Sequence, residues 1–151
     1  MKSKSIILAL AVLILACSMT AIAAENVDVA GHTFEVPDGY KIDNTTDEQV
    51  IFTNDDGYAI VVLFSDEIAS SDDAIKNLEA KGYTFIAEGN YDSSDHNVSQ
   101  QNYEKDGLTV YSYNFELDDG KYCVCTLTIP SNHPAPEGDD NPVTGIIKTI
   151  K

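Results

Sequence analysis

Three Asp-Gly steps constrain the fold of this chain more than any other feature. Each step lies between runs rich in aromatic and β-branched residues, at Asp56-Gly57, Asp106-Gly107 and Asp119-Gly120. Glycine adopts the positive φ that a tight reversal needs, so each step predicts a β-hairpin. We therefore expect antiparallel strands joined by short turns.

The third step predicts a hairpin whose register follows from its apolar pattern. Alternate residues across 109–117 and across 123–129 are mostly apolar. A two-residue turn would place the two apolar sets on opposite faces, whereas a three-residue turn with Gly120 left-handed places them on one face. The pairs predicted by the three-residue turn are Leu117 with Lys121, Phe115 with Cys123, Tyr113 with Cys125 and Tyr111 with Leu127.

Five further segments have the composition of strands. They cover residues 27–36 with a break at Gly31, the hairpin of 50–53 with 58–64, and residues 83–88 and 98–103 joined by a polar loop at 89–97. Residues 60–64 are apolar at every position, which predicts a central strand covered on both faces.

Two helices are predicted by caps and apolar spacing. The first helix is predicted over residues 72–81, with Ser70 as its N-cap and Gly82 directly after its end. Its apolar stripe consists of Ala74, Ile75 and Leu78, which would lie on a sheet face. A second helix begins at Pro142 after the cap Asn141, with a terminal strand as the alternative. The predicted class is α+β, a single antiparallel sheet of about six to seven strands with two helices packed on it, in the order βββαββββα.

The heptapeptide from Phe34 to Tyr40 reads FEVPDGY and resembles the opening of PsbP-like α+β domains. In those domains an apolar strand ends in a Pro-x-Gly-aromatic step, and Tyr40 stands where they usually have tryptophan. The resemblance implies a non-catalytic accessory or binding domain, of a kind that is often exported, and carries over no functional residue. The lysine-only, Asp- and Asn-rich composition is also similar to that of small exported proteins of methanogenic archaea.

The first 24 residues have the three parts of a secretory leader. Lys2 and Lys4 precede an apolar run at 6–16, and small residues lead to Ala23 and Ala24. We predict a signal peptide over residues 1–24 and one acidic domain over residues 25–151, secreted or associated with the cell surface. The alternatives are a lipoprotein attached through Cys17 and an uncleaved anchor, although 11 apolar residues fall short of the roughly 20 in a spanning helix.

The charge of the chain excludes several classes of partner. The sequence has nine lysines, no arginine and 25 acidic residues. Without the two leader lysines the formal charge is −18, against −16 for the whole chain. Nucleic acid, phosphate groups and anionic lipid surfaces need clustered cations, so none is expected as a partner. The charge favours solubility, and no long apolar segment remains to be exposed, so we expect a monomer without a membrane span.

No catalytic motif is present in the sequence. His32, His96 and His133 lie in three separate regions, and we interpret them as surface histidines. Paired aspartates fall mainly at turns and at a helix start, and none has the spacing of a calcium loop, which leaves weak calcium binding around residues 137–141 as an alternative. We expect no catalytic, metal or cofactor site. The predicted function is therefore non-catalytic binding of a protein or glycan partner, and the alternative is a secreted hydrolase that uses a carboxylate pair.

Three tyrosines near the last hairpin are the candidate recognition surface. Tyr111, Tyr113 and Tyr122 would bind a glycan or a protein, or would simply line a sheet face. Two sequons, at Asn44 and Asn97, are candidate glycosylation sites in surface loops.

Cys123 and Cys125 are the two cysteines of the predicted domain. Residues two apart in a strand are about 6.6 Å apart, whereas the β-carbons of a disulfide lie about 3.5–4.5 Å apart. We predict buried free thiols, with a metal or redox role as the alternative.

Overall fold

The computed structural model describes residues 25–151, so the predicted leader, its cleavage site and Cys17 lie outside the described residues. Within this range, nine strands and two helices follow one another, together with one 3₁₀ turn at Gly138–Asp140. The strands are β1 (Asn26–Val29), β2 (His32–Glu35), β3 (Lys41–Thr45), β4 (Gln49–Thr53), β5 (Ala59–Ser65), β6 (Thr84–Ser93), β7 (His96–Lys105), β8 (Leu108–Glu116) and β9 (Tyr122–Pro130). The helices are α1 (Ser71–Ala80) and α2 (Pro142–Thr149).

The strands form two antiparallel sheets. Seven strands pair in the order β3-β4-β5-β9-β8-β7-β6, and β1 pairs with β2 alone. The α+β class is confirmed, but the prediction of a single sheet is wrong. Ala30 and Gly31 both have positive φ, 55° and 82°, so the chain reverses there and residues 26–35 form their own hairpin. Five strands therefore precede α1 instead of three, because β3 was also missed.

The predicted register of the last hairpin is confirmed. Phe115 pairs with Cys123, Tyr113 with Cys125 and Tyr111 with Leu127. The Leu117 N–H donates to the Lys121 carbonyl at 2.8 Å, and Gly120 has a φ of 82°. The turn is therefore the three-residue form, which keeps both apolar sets on one face of the sheet.

The polar loop predicted at residues 89–97 is instead a long hairpin. β6 and β7 pair from Thr84 with Glu104 to Ser93 with His96. The reversal is made by Ser94 and Asp95, with φ values of 48° and 69°. A turn without glycine is a weaker sequence signal for a hairpin. In addition, β6 is an edge strand that is exposed over most of its length, so its sequence lacks the apolar alternation that would predict a strand.

One face of the large sheet carries the hydrophobic core. The β1–β2 hairpin and α2 pack on this face, where Ile60, Val62 and Phe64 of β5 are buried. The other face of β5 exposes Val61 and Leu63 in part, so the prediction that β5 is covered on both faces is wrong. α1 is only 10 residues long and contacts β6, which leaves the middle of this second face open.

Both predicted helices are present, and they differ in how many of their residues are buried. The Ser70 side chain accepts from the Asp73 N–H and caps α1, but no residue of α1 is buried and its predicted stripe is only half-buried. The Asn141 side chain accepts from the Val143 N–H and caps α2, whose Val143, Ile146 and Ile147 are buried. The alternative of a terminal strand is wrong. Across residues 25–151, no helix combines the length and the apolar character needed to cross a membrane.

Candidate functional site

A groove of about 730 Å³ lies between α1 and the open face of the large sheet. Strands β7, β8 and β9 form its floor, and α1 with the residues before it forms one wall. The groove exists because α1 rests near the β6 end of the sheet and does not extend across it. A groove of this volume can hold a small molecule or a short piece of a polymer.

Uncharged polar side chains of β7 and β8 form one part of the floor of the groove. Ser99 of β7 pairs with Asn114 of β8, and Gln101 pairs with Ser112, so these four side chains lie on the same face. Ser99, Ser112 and Asn114 are half-buried, and their side chains have no hydrogen-bond partner among residues 25–151. The floor therefore presents hydroxyl and amide groups, both donors and acceptors, that a ligand can use.

Gln101 belongs to a buried polar network that fixes α1 to the floor. Its Nε2 donates to the Ser71 Oγ at 2.7 Å, and its Oε1 accepts from the Tyr103 hydroxyl at 2.8 Å. The Ser71 hydroxyl in turn donates to the Glu88 carboxylate at 2.5 Å. Gln101 is 3% exposed and Tyr103 is fully buried, so the network positions the first turn of α1 instead of facing ligand.

The rest of the lining combines apolar surface with acidic groups. Apolar contact comes from α1, from Ile68 and from Val124, while Tyr122 adds an aromatic ring. Asp95, Glu116 and Asp118 also line the groove, and no lysine is among its lining residues. Such a site can hydrogen-bond hydroxyl-rich ligands and repels anions.

The three tyrosines predicted as a recognition surface do not share one surface. Tyr113 is 3% exposed, and the Asn141 Nδ2 donates to its hydroxyl at 2.9 Å. Burial is the main cause that raises the pKa of Tyr113 to about 12. Tyr111 lies half-buried on the same core face, whereas Tyr122 alternates with Cys123 and faces the groove. Only Tyr122 is therefore placed in the groove.

The interpretation of all three histidines as surface residues is wrong for His32. His32 is 8% exposed, and its ring nitrogens lie 3.2 Å from the Lys151 carbonyl and 2.9 Å from the Asp119 carboxylate. His133 is half-buried beside the Tyr58 hydroxyl at 2.8 Å, and His96 is half-buried against the ring of Phe115. These contacts join segments distant in sequence, which no local motif signals.

The thiols of Cys123 and Cys125 are free and buried, as predicted. Their sulfurs are 3.8 Å apart, beyond the S–S bond length of about 2.05 Å. The contact with Cys125, followed by burial, raises the pKa of Cys123. Both cysteine side chains are therefore part of the hydrophobic core.

The two sequon asparagines lie in strands, not in the surface loops predicted. Asn44 is half-buried in the edge strand β3. Asn97 is exposed in β7, where its amide donates to the Asp92 carboxylate at 3.0 Å.

Among residues 25–151, two carboxyl groups have displaced pKa values, and both values are displaced downward. The Lys121 N–H is the main cause that lowers the pKa of Asp119, and the Lys148 ammonium lowers that of Asp139. A general acid needs the opposite displacement. Within residues 25–151, no three His, Cys, Asp or Glu side chains are grouped so that they could hold a metal ion.

Sequence reasoning missed the groove, although part of its signal was present. Polar residues alternate at 99 and 101 in β7 and at 112 and 114 in β8, and together they predict one polar sheet face. The position of α1 above that face depends on a network of side chains separated by up to 30 residues, which no local pattern contains.

No family model matches the sequence, and no curated protein is significantly similar to it. A solved structure of a protein from Bacteroides thetaiotaomicron VPI-5482 is similar, with 15% sequence identity and a TM-score of 0.49. The similarity covers 80% of this chain and 44% of that one, so this chain spans less than half of that protein. A likeness this distant carries no functional conclusion.

Proposed function

We propose that this chain is an exported binding domain whose groove binds a short uncharged glycan. The observation that carries the proposal is the floor of half-buried Ser99, Ser112 and Asn114 side chains without partners among residues 25–151. Sugar hydroxyls both donate and accept hydrogen bonds, so they match a floor of hydroxyl and amide groups.

The charge of the lining supports an uncharged ligand. Asp95, Glu116 and Asp118 accept hydrogen bonds from sugar hydroxyls and would repel uronate, sulfate or phosphate groups. Tyr122 and the apolar side of α1 offer packing surface for the apolar face of a sugar ring. Export, which the leader pattern of residues 1–24 predicts, fits a ligand of this chemistry.

The proposal is tested by retention on immobilised oligosaccharides. We expect neutral hexose and N-acetylhexosamine oligomers to be retained and uronate oligomers not to be retained. Asn114→Ala removes one amide from the floor, and we expect it to weaken binding about fivefold, equivalent to about 1 kcal/mol.

Thr128→Ala is the matched control, since Thr128 is half-buried on the same sheet face and does not line the groove. It should bind as the unmodified chain does. Retention of acidic oligomers, or equal losses in both variants, would contradict the proposal. Shortened oligosaccharide after incubation would instead support the hydrolase alternative.

A further inference from the structure

A second cavity, of about 480 Å³, lies on the side of the molecule where β2 leads into β3. Its walls come from the segment after β2 with Pro37, Asp38 and Tyr40, from the β4–β5 turn, and from the residues around the start of α2. None of these elements contributes to the groove under α1, so the cavity is a separate feature.

Aromatic and proline rings form much of the cavity wall. Tyr40 and Tyr58 are both half-buried there, and three prolines line the same space. The lining prolines are Pro37, Pro136 and Pro142. The Tyr40 hydroxyl has no hydrogen-bond partner among residues 25–151. Aromatic walls of this kind attract organic cations through the ring quadrupole.

The wall is also held in place before any ligand arrives. The Asn54 Oδ1 accepts from the N–H groups of Asp56 and Tyr58, which fixes the β4–β5 turn. The Tyr58 hydroxyl lies 2.8 Å from the His133 Nδ1. The Tyr40 N–H donates to the Pro37 carbonyl in a tight turn. A preformed cavity loses less entropy when it binds a ligand.

The charge around the cavity is negative and largely uncompensated. Glu35, Asp38 and Asp140 line it without an ion-pair or side-chain hydrogen-bond partner among residues 25–151. Asp139 also lines it but is paired with Lys148 at 2.6 Å. No lysine is among the lining residues, so Glu35, Asp38 and Asp140 have no cation partner in the lining.

We infer that this cavity binds an alkylammonium group, because it joins two tyrosine rings with three unpaired carboxylates. The rings pack on the alkyl part and face the positive charge, while Glu35, Asp38 and Asp140 neutralise it. Two sources supply this chemistry: a free amine, or a lysine side chain of a partner protein. The site is independent of glycan binding in the groove.

Calorimetric titration of the chain without its predicted leader, residues 25–151, with the tripeptide acetyl-Gly-Lys-Gly-amide tests the inference. The comparison peptide carries norleucine, which keeps the alkyl stem and lacks the ammonium. We expect the lysine peptide to bind and the norleucine peptide to bind at least tenfold more weakly. Equal binding of the two peptides would overturn the inference.

Two variants and a control distinguish binding of the lysine peptide in the cavity from its general attraction to an acidic protein. We expect Tyr40→Leu and Asp38→Asn each to weaken binding roughly two- to fivefold, the range of one cation–π contact for Tyr40 and of one exposed ion pair for Asp38. Asp28→Asn removes the same charge at an exposed position of β1 that does not line the cavity, and should change nothing. Equal losses from Asp28→Asn and Asp38→Asn would overturn the site.

n-Butylammonium chloride, which has the stem and ammonium of a lysine side chain without the peptide, distinguishes the two sources. Binding of this salt comparable to that of the lysine peptide supports a free amine as the natural ligand. Binding of the peptide at least tenfold tighter supports a lysine of a partner protein. The absence of binding by both probes would overturn the inference and leave the glycan proposal for the groove unaffected.

Discussion

At the scale of single residues, His32 connects three distant parts of the chain. Its ring bridges the Lys151 carbonyl and the Asp119 carboxylate, and it stacks on Phe64 with centroids 5.1 Å apart and planes 8° apart. Loss of a buried ring with two hydrogen bonds leaves a cavity and removes both contacts. We predict that His32→Ala lowers the free energy of unfolding by about 2–3 kcal/mol, measured by urea denaturation.

His133→Ala is the comparison for that measurement. His133 is half-buried and has one side-chain hydrogen bond, to Tyr58. We expect this variant to lose about 1 kcal/mol. Equal losses from the two histidines would contradict the role given to His32.

The raised pKa values of two tyrosines predict how the stability of the protein changes with pH in the alkaline range. Burial is the main cause that raises the pKa of Tyr113 and of Tyr40 to about 12, whereas an unfolded tyrosine titrates near pH 10. Between these values the unfolded chain releases protons that the folded chain keeps. Their contribution to stability is therefore complete below about pH 10 and is lost as the pH rises toward about 12.

Tyr113→Phe tests this dependence. We expect the variant to be less stable near neutral pH by about 1 kcal/mol, because the Asn141 amide loses its acceptor. Its stability should then fall less steeply than that of the unmodified chain above about pH 10. Urea denaturation across this pH range gives both quantities, and identical pH slopes would contradict the assignment.

At the scale of elements, α1 should be the least stable regular segment of the groove. None of its residues is buried, and the Gln101–Ser71–Glu88 network holds its first turn. Helices that bury little apolar surface open locally at low free energy. We predict that the amides of α1 exchange with solvent well before those of α2, which buries three apolar residues, in hydrogen-exchange mass spectrometry.

Ser71→Ala sharpens that experiment, because it removes the hydroxyl that joins Gln101 to Glu88. Exchange in α1 should accelerate further in this variant, while exchange in α2 stays unchanged. Equal protection of the two helices in the unmodified chain would show that α1 is held more firmly than its contacts indicate.

The elements that could be predicted from sequence are those specified by local chemistry. The caps Ser70 and Asn141 and the turn at Gly120 each act within a few residues, and both helices and the last hairpin follow from them. The β6–β7 hairpin was missed because its turn is Ser94-Asp95 and its edge strand is exposed. The separate β1–β2 sheet was missed because alternation reveals a strand but not its partner.

The candidate site was less predictable than the fold. Tyr111, Tyr113 and Tyr122 were grouped because they are close in sequence, but their positions along β8 and β9 place Tyr122 on the opposite face. The groove residues come from β7, β8, β9 and α1, so their proximity depends on strand register and on side-chain contacts between elements. Neither is contained in a local pattern.

At the scale of the whole molecule, the leader pattern of residues 1–24 predicts which part of the chain is exported. We predict cleavage after Ala23 or Ala24 and a released acidic chain with reduced Cys123 and Cys125. Intact mass of the exported protein measures the cleavage site and the thiol state together. A lipid adduct on a chain that begins at Cys17 would contradict release, and a mass two daltons lower would contradict the free thiols.

Binding of an uncharged glycan in the groove is tested most directly by nuclear magnetic resonance. Isotope-labelled mature chain would be titrated with the best-retained neutral oligosaccharide while amide chemical shifts are followed. The groove predicts the largest changes at Ser99, Ser112 and Asn114 and in the facing turn of α1 around Ala74, with β3 unchanged. Changes centred on Tyr40 and Tyr58, or no change at saturating oligosaccharide, would contradict glycan binding in the groove.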